Sequence, residues 1–126
     1  MNEVVVVKDE DNELPIPTIW RPIFKEIVSA LAKKDYLLKS KPRFTSPMSQ
    51  ETADYISEYI EDYGETLIDL PDETWDSSIC LWMGSKWEVL IDLWTEGEGR
   101  SDLALKAEVE ESETNYLVTV EMVYVP

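Results

Sequence analysis

The sequence predicts an α+β fold in which two N-terminal helices pack on one face of a C-terminal antiparallel β-meander of about four strands. In the first half of the chain, apolar residues recur every three or four positions, which is the period of an amphipathic helix. From Trp75 onward they alternate with polar residues, which is the period of a strand with one buried face. We expect residues 14–126 to form one domain and residues 1–13 to form a tail or an added edge strand.

The first helix is predicted from about Thr18 to Lys34, with Thr18 as its N-cap residue. Its apolar stripe consists of Trp20, Ile23, Phe24, Ile27, Val28 and Leu31. The second helix is predicted from about Ser49 to Tyr63, because Ser49 is a good N-cap and Gly64 stands where a left-handed residue ends a helix. Tyrosines recur at four-residue spacing along this helix at Tyr55, Tyr59 and Tyr63.

Strands are predicted over residues 79–83, 87–94, 103–109 and 116–125. Gly84 and Ser85 form the turn of the first hairpin. If the two strands of this hairpin are regular, Trp82 and Trp94 fall on the sheet face opposite to Trp87. That arrangement predicts an exposed aromatic patch at Trp82 and Trp94, unless another part of the chain or a second copy covers it.

The two ends of the sheet are predicted to differ in how well they are protected. Residues Val4 to Val7 are the candidate for the added N-terminal edge strand. The last strand, Tyr116 to Val125, contains Glu121 as its only charged residue. Because few charges protect such an edge from strand pairing, it is open to homodimer formation with a second copy.

The composition excludes several classes of function. The 126 residues include 27 acids and 11 bases, a net charge of −16, which argues against binding nucleic acids or anionic lipids. The absence of histidine and the single Cys80 exclude Ser-His-Asp and Cys-His catalysis, histidine- or thiolate-held metals and an internal disulfide. We therefore expect no cofactor and no metal. Without an apolar run of membrane-spanning length or a signal leader, we expect a cytoplasmic protein.

The charges are unevenly distributed along the chain. Residues 18–43 contain seven bases and two acids, whereas the segment between Phe44 and Ser85 contains ten carboxylates and no base. One interpretation is a solvated acidic surface that keeps the protein soluble. The other is a docking face for a basic partner, anchored by one of its aromatic residues. The candidate partner-binding residues are Glu58, Tyr59, Glu61, Asp62, Tyr63, Glu65, Asp69, Asp72, Glu73, Trp75 and Asp76.

Carboxylates near the glycine-containing loop at residues 95–100 are the candidates for catalysis. Glu96, Glu98 and Asp102 flank this loop, and Asp92 lies on the preceding strand. Two close carboxylates can serve as acid and base in glycoside hydrolysis, and they can also bind a hard cation. Several acids near one loop are expected by chance in so acidic a chain, so we predict a non-enzymatic protein. A carboxylate hydrolase using Asp92, Glu98 and Asp102 remains the less favoured alternative.

Part of the chain resembles a family of small bacterial domains of unknown function. The resemblance rests on Trp75-Asp76-Ser77-Ser78-Ile79, on Trp82, on Trp87 to Trp94 (WEVLIDLW) and on Glu98 to Leu103 (EGRSDL). The helix that begins near Trp20 is similar too. The resemblance implies one α+β domain. It carries no known activity, so no catalytic residue follows from it.

In type, a small, acidic, cysteine-poor α+β protein also resembles bacterial immunity proteins, which neutralise toxins, often basic nucleases, by direct binding. We therefore expect an immunity protein or antitoxin-like inhibitor whose acidic segment steers and holds a basic toxin domain. The alternative is a small-ligand-binding or accessory domain, with aromatic side chains lining an apolar pocket between the helices and the sheet.

Overall fold

The computed structural model describes residues 3–126, which form two α-helices followed by most of a five-stranded antiparallel sheet. The elements are β1 (Leu14–Pro15), α1 (Arg21–Ala32), α2 (Gln50–Tyr63), β2 (Ile79–Trp82), β3 (Trp87–Thr95), β4 (Gly99–Glu111) and β5 (Tyr116–Tyr124). The strands are ordered in space as they are along the chain, so each pairs with its sequence neighbour. The predicted α+β class is confirmed, with five strands rather than four.

The start of the first helix differs from the prediction. A 3₁₀ turn, Thr18–Trp20, precedes α1, and the N-cap position belongs to Trp20, which makes no side-chain capping bond. Thr18 instead fastens the N-terminal segment, because its hydroxyl accepts the Val4 N–H at 2.7 Å and its own N–H donates to the Val4 carbonyl at 2.9 Å. The expectation that Thr18 caps the helix is therefore wrong, because its hydroxyl is used by a neighbouring segment.

The second helix follows the prediction closely. Ser49 is its N-cap and accepts the Thr52 N–H at 3.1 Å. Gly64 ends the helix in the left-handed conformation with φ +86°, which residues with a Cβ adopt at a cost. Within residues 3–126, neither α1 nor α2 combines the length and apolar composition that crossing a bilayer requires.

One face of the sheet and the apolar sides of both helices form a single core. The inward residues of β3 and β4 alternate as predicted, and all are inaccessible to solvent: Trp87, Val89, Ile91, Leu93, Leu103, Leu105, Ala107 and Val109. Phe24 and Leu31 of α1 and Ile56 of α2 belong to the same cluster. Burial of this set supplies the main driving force for folding, since each fully buried side chain contributes roughly 1.5–3 kcal/mol.

The added edge strand lies at Leu14–Pro15 and not at Val4 to Val7 as predicted. Leu14 and Pro15 pair with Cys80 and Ile79 of β2. The buried Cys80 thiol donates to the Pro15 carbonyl at 3.6 Å, and burial raises its pKa to about 11, so it stays protonated. The valine run lies outside every strand, and its backbone is bound at Val4 by Thr18 and at Val7 by the Trp87 indole.

An aromatic cluster joins the N-terminal segment to the sheet. The Trp87 ring lies 5.1 Å from that of Trp20, 4.5 Å from that of Trp82 and 6.1 Å from that of Tyr116. Its indole N–H donates to the Val7 carbonyl at 3.0 Å. Residues 3–8 therefore pass over this cluster as an extended strap.

Trp82 lies on the same face as Trp87, which corrects the predicted patch. The two residues are directly opposed in the β2–β3 hairpin, and opposed residues of antiparallel strands project from one face. Lys8 covers the Trp82 ring, with its Nζ 5.0 Å from the ring centroid. Trp94 is half-buried and packs against the core, as Trp82 does, so the two tryptophans form no exposed patch.

The free edge of β3 beyond β2 is closed by the segment before β2. The Ile68 N–H donates to the Trp94 carbonyl at 3.0 Å, and the buried Thr74 hydroxyl donates to the Asp92 carbonyl at 2.6 Å. The Asp92 N–H donates to the Ser78 hydroxyl at 2.9 Å, and the Ser77 hydroxyl donates to the Asp92 carboxylate. The serines of the resemblance motif and Asp92 thus have a structural role.

The last strand is a sheet edge, as predicted, and part of it is covered. The N–H of Val118 donates to the Phe44 carbonyl at 2.7 Å, and its carbonyl accepts the Ser46 N–H at 2.8 Å. At the end of the strand, the Val125 N–H donates to the Tyr59 hydroxyl at 3.2 Å. These contacts limit the length of edge that a second copy could pair with, so homodimer formation stays a prediction.

Deleting residues 1–8 is expected to lower the free energy of unfolding by about 2–3 kcal/mol. The deletion leaves the buried Trp87 N–H without an acceptor and uncovers Trp82. Urea unfolding followed by tryptophan fluorescence measures the loss. The control is Lys8→Ala, which removes the Lys8 contacts with Glu111 and the Trp82 ring but keeps the Val7 acceptor, and it should cost less than about 1 kcal/mol. Equal stability of the deleted and full-length proteins would show that the strap is not part of the fold.

Candidate functional site

The outer side of α2 carries a high density of unpaired negative charge. The helix contains five exposed carboxylates and no base: Glu51, Asp54, Glu58, Glu61 and Asp62. Within residues 3–126, none of the ion pairs involves a carboxylate of this helix. The carboxylates of the helix therefore repel one another, and none of them lies within ion-pairing distance of a cation in that range.

The C-terminal end of α2 adds an unfavourable interaction with the helix dipole. Glu61 and Asp62 lie in the last turn, where the exposed carbonyls make the helix end partially negative, and that turn contains no base. Each carboxylate placed there costs roughly 0.3–1 kcal/mol at low ionic strength. A surface that opposes folding in this way is a candidate for one shaped by binding.

A row of tyrosines runs beside these carboxylates. The rings of Tyr55 and Tyr59 lie 6.0 Å apart, and Tyr55 is exposed. The Tyr63 hydroxyl donates to Glu98 at 3.0 Å and accepts the Asp102 N–H at 3.2 Å. That N–H lowers the pKa of Tyr63, but burial and the Glu98 carboxylate outweigh it and raise the pKa, so the hydroxyl stays a donor.

Tyr59, Asp62 and Tyr63 line a small open cleft together with Val125, which follows β5. Its volume is about 250 Å³. Sequence reasoning named the three helix residues but missed Val125, because no local signal shows that the chain returns to this helix. The four-residue spacing of the tyrosines was the available signal for one face of the site.

The structure divides the predicted docking segment, residues 58–76, into two places. Asp72 is close to α1, where it pairs with Lys25 at 2.8 Å. Trp75 is 8% exposed and belongs to the core, with the Arg21 guanidinium 5.4 Å from its ring centroid. Its ring therefore packs within the chain and exposes only a small part to an open cleft beside Arg21, and its role as a partner anchor stays a prediction.

The other predicted residues of this segment differ in their surroundings. Asp69, Glu73 and Asp76 are exposed, and they lie in or next to the turn that carries Asp72. Glu65 is half-buried, and its carboxylate lies against Gly97, where an added Cβ would come within 2.6 Å of it. Glu58, Tyr59, Glu61, Asp62 and Tyr63 lie together on α2, and Glu65 lines a neighbouring cleft with Glu61 and Lys34.

The carboxylates proposed for a hydrolase have separate hydrogen-bond partners. Asp92 accepts from Ser77, as described above, whereas Glu98 accepts from Tyr63 and from the Thr95 hydroxyl at 3.1 Å. Glu96 and Asp102 are exposed at the surface. Among residues 3–126, no group of three or more acidic or thiol side chains is arranged to hold a metal ion.

The basic residues of the first half of the chain lie mainly on the connection between the helices. Lys33, Lys34, Lys39, Lys41 and Arg43 are all exposed there. Lys34 and Lys39 line a cleft with Asp54, which faces them from one flank of α2. The flank with Tyr59 and Asp62 instead faces Val125, so the two flanks differ in the charge beside them.

The outer face of the sheet carries a network of opposite charges. Lys86 pairs with Glu108 at 2.6 Å, and Lys106 pairs with Glu88 at 3.2 Å and with Glu121 at 3.7 Å. A hydrogen bond to the Glu108 carboxylate, together with burial, raises the pKa of Glu121 to about 6. The same hydrogen bond and Lys86 lower the pKa of Glu108, so the two carboxyls share a proton in mildly acidic solution.

These features define a small α+β domain whose candidate site is the acidic, tyrosine-lined side of one helix. A family model described as a domain of unknown function, DUF7668, matches residues 28–126. The chain therefore belongs to this family, in agreement with the resemblance found in its sequence. No curated protein and no solved structure matches the chain. Trp20 and Phe24 precede the matched range, although they are part of the same core.

The double substitution Glu61→Gln and Asp62→Asn is expected to raise the free energy of unfolding by about 0.5–1.5 kcal/mol at low salt. It removes two charges that oppose the helix dipole. Urea unfolding at low and high salt measures the sign of the change in the free energy of unfolding and shows whether salt reduces it. Glu51→Gln is the matched control and should lower stability, because a carboxylate in the first turn is favourable. A shift of the same sign in both variants would contradict the dipole argument.

Glu121→Gln is expected to stabilise the protein by about 1 kcal/mol near pH 8 and to have no effect below about pH 4.5. The raised pKa means that the folded state binds the extra proton between the ordinary value of 4.5 and about 6. Wild-type stability therefore falls as pH rises through that window, while the amide keeps donating to Glu108. Thermal unfolding across this pH range tests it, and a pH-independent difference would contradict it.

Proposed function

We propose that this protein is a non-enzymatic inhibitor of the immunity or antitoxin type, which binds and neutralises a basic, nuclease-type toxin domain. The observation that carries the proposal is the outer side of α2, where exposed carboxylates without cationic partners lie beside a row of tyrosines. Cations from a partner would relieve both the mutual repulsion and the unfavourable dipole interaction. Tyrosines supply large contact area at a low cost in side-chain entropy.

The charge distribution supports fast association with such a partner. The net charge of −16 attracts a basic protein over long range, and the unpaired carboxylates of α2 concentrate that attraction on one surface. The fourteen residues of α2 extend over about 21 Å, a length that suits a docking surface of ordinary size. Steering of this kind weakens when salt shortens the range of the charges.

The proposal is tested by capture from the native host. The purified protein is immobilised, and bound proteins are eluted with a gradient from about 50 to 500 mM salt and identified by mass spectrometry. We expect a basic protein that elutes with rising salt and whose toxic or nuclease activity falls when the protein is added. Recovery of the bait alone, or of a partner whose association rate does not change with salt, would contradict the proposal.

Charge variants locate the surface. The triple variant Glu58→Gln, Glu61→Gln and Asp62→Asn should lose most of the captured partner, although it should be at least as stable as the wild type. The matched control Glu10→Gln, Glu110→Gln and Glu113→Gln removes three exposed carboxylates elsewhere and should retain the partner. Equal loss in both variants would show a general charge effect and exclude α2 as the docking surface.

A further inference from the structure

We propose that the cleft between Tyr59, Tyr63 and Val125 is a binding site for one arginine side chain of the basic partner, with Asp62 as its counter-ion. This inference rests on the proposed function, which it makes specific to one contact. The acidic surface explains attraction from a distance but does not select a side chain. The cleft can select one, because its size, its walls and its charge each favour a guanidinium group.

The cleft is smaller than most small-molecule sites. Its volume of about 250 Å³ lies below the roughly 300–1,000 Å³ that small-molecule sites occupy. It is open to solvent on one side, which suits the end of a long side chain entering from a partner surface. A single arginine can place its guanidinium and the end of its aliphatic stem in this space.

The walls of the cleft are held in place before any partner arrives. The Tyr59 hydroxyl accepts the Val125 N–H, and the Tyr63 hydroxyl is bound on both sides by Glu98 and the Asp102 N–H. Because these bonds belong to the protein itself, the rings need not reorder on binding. Preorganised walls reduce the entropy lost when a partner side chain enters.

The negative charge at the cleft favours a cation, and the shape of the cleft favours arginine over lysine. Asp62 lines the cleft, and Glu98 lies against the Tyr63 hydroxyl. Neither carboxylate is in an ion pair within the part of the chain described here. A planar guanidinium can stack on a tyrosine face and bind a carboxylate through two N–H groups, whereas an ammonium is a point charge with a tight hydration shell.

Nuclear magnetic resonance with a small probe tests the site without the partner. Nα-acetyl-arginine N-methylamide is added to the full-length, isotope-labelled protein, and the ring signals of Tyr59 and Tyr63 and the Asp62 amide are followed. We expect saturable shifts confined to these residues and Val125. The neutral analogue of the same shape, Nα-acetyl-citrulline N-methylamide, should cause no saturable shift, and the lysine amide should bind more weakly. Equal binding of arginine and citrulline amides would overturn the assignment.

Substitutions separate the cleft from the general acidity of the helix. Asp62→Asn should weaken binding of the arginine amide about tenfold. Asp54→Asn removes the same charge from the other flank of α2 and should leave binding within about twofold of the wild type. Val125→Lys keeps the backbone N–H that Tyr59 accepts and places a cation of the chain beside the cleft, so it should also abolish binding. If Asp54→Asn and Asp62→Asn weaken binding equally, the cleft is not the site.

The outcomes for the cleft and for the proposed function are distinguishable. Suppose that the wild type captures a basic partner, the triple variant does not, and the arginine amide does not bind at the cleft. The acidic docking surface is then supported and the arginine site is contradicted. If the amide binds at the cleft but no basic protein is recovered with the bait, the arginine site is supported and the inhibitor function is contradicted. When both hold, exchange of single arginines for lysine in the partner should identify the one that enters the cleft.

Discussion

Burial of the Trp87 indole holds together parts of the chain that lie far apart in sequence. Its ring contacts Trp20 before α1, Trp82 on β2 and Tyr116 on β5, and its N–H is bound by the strap at Val7. A buried aromatic ring gains from contact area in every direction, so one side chain can join a strand, a helix entrance and an extended segment. The sheet, the strap and the start of α1 are thus stabilised by a common set of contacts.

Parts of both sheet edges are bound by other segments of the chain, whereas the carboxylates of α2 form no ion pair within residues 3–126. Residues 66–68 and the hydroxyls of Thr74 and Ser78 close the edge of β3, and residues 44–46 cover part of β5. On α2, by contrast, carboxylates repel one another and oppose the helix dipole. A protein stabilised by its core tolerates such a surface, because a few unfavourable contacts of less than about 1 kcal/mol each remain small beside burial.

The predictions that succeeded concern residues whose partners are close in sequence. The cap at Ser49, the left-handed Gly64 and the alternation along β3 depend on neighbouring positions. The predictions that failed concern partners far away. Thr18 could act as a cap in isolation, but Val4 takes its hydroxyl. Trp82 was assigned to the wrong face because counting along the chain does not reveal the hairpin register.

The α+β class, both helices and the acidic character of α2 follow from the amino-acid sequence alone, because helix and strand periods and the charges within one segment are local properties. Which acids share a surface depends instead on how distant segments pack together. In the folded chain, Trp75 is buried and Asp72 pairs with Lys25 of α1. Val125 lies in the same cleft as Tyr59 and Asp62. The physical reason is that a cleft is made by segments that return to the same place. That return is set by the register of the sheet and the packing of the helices, which no run of neighbouring residues specifies.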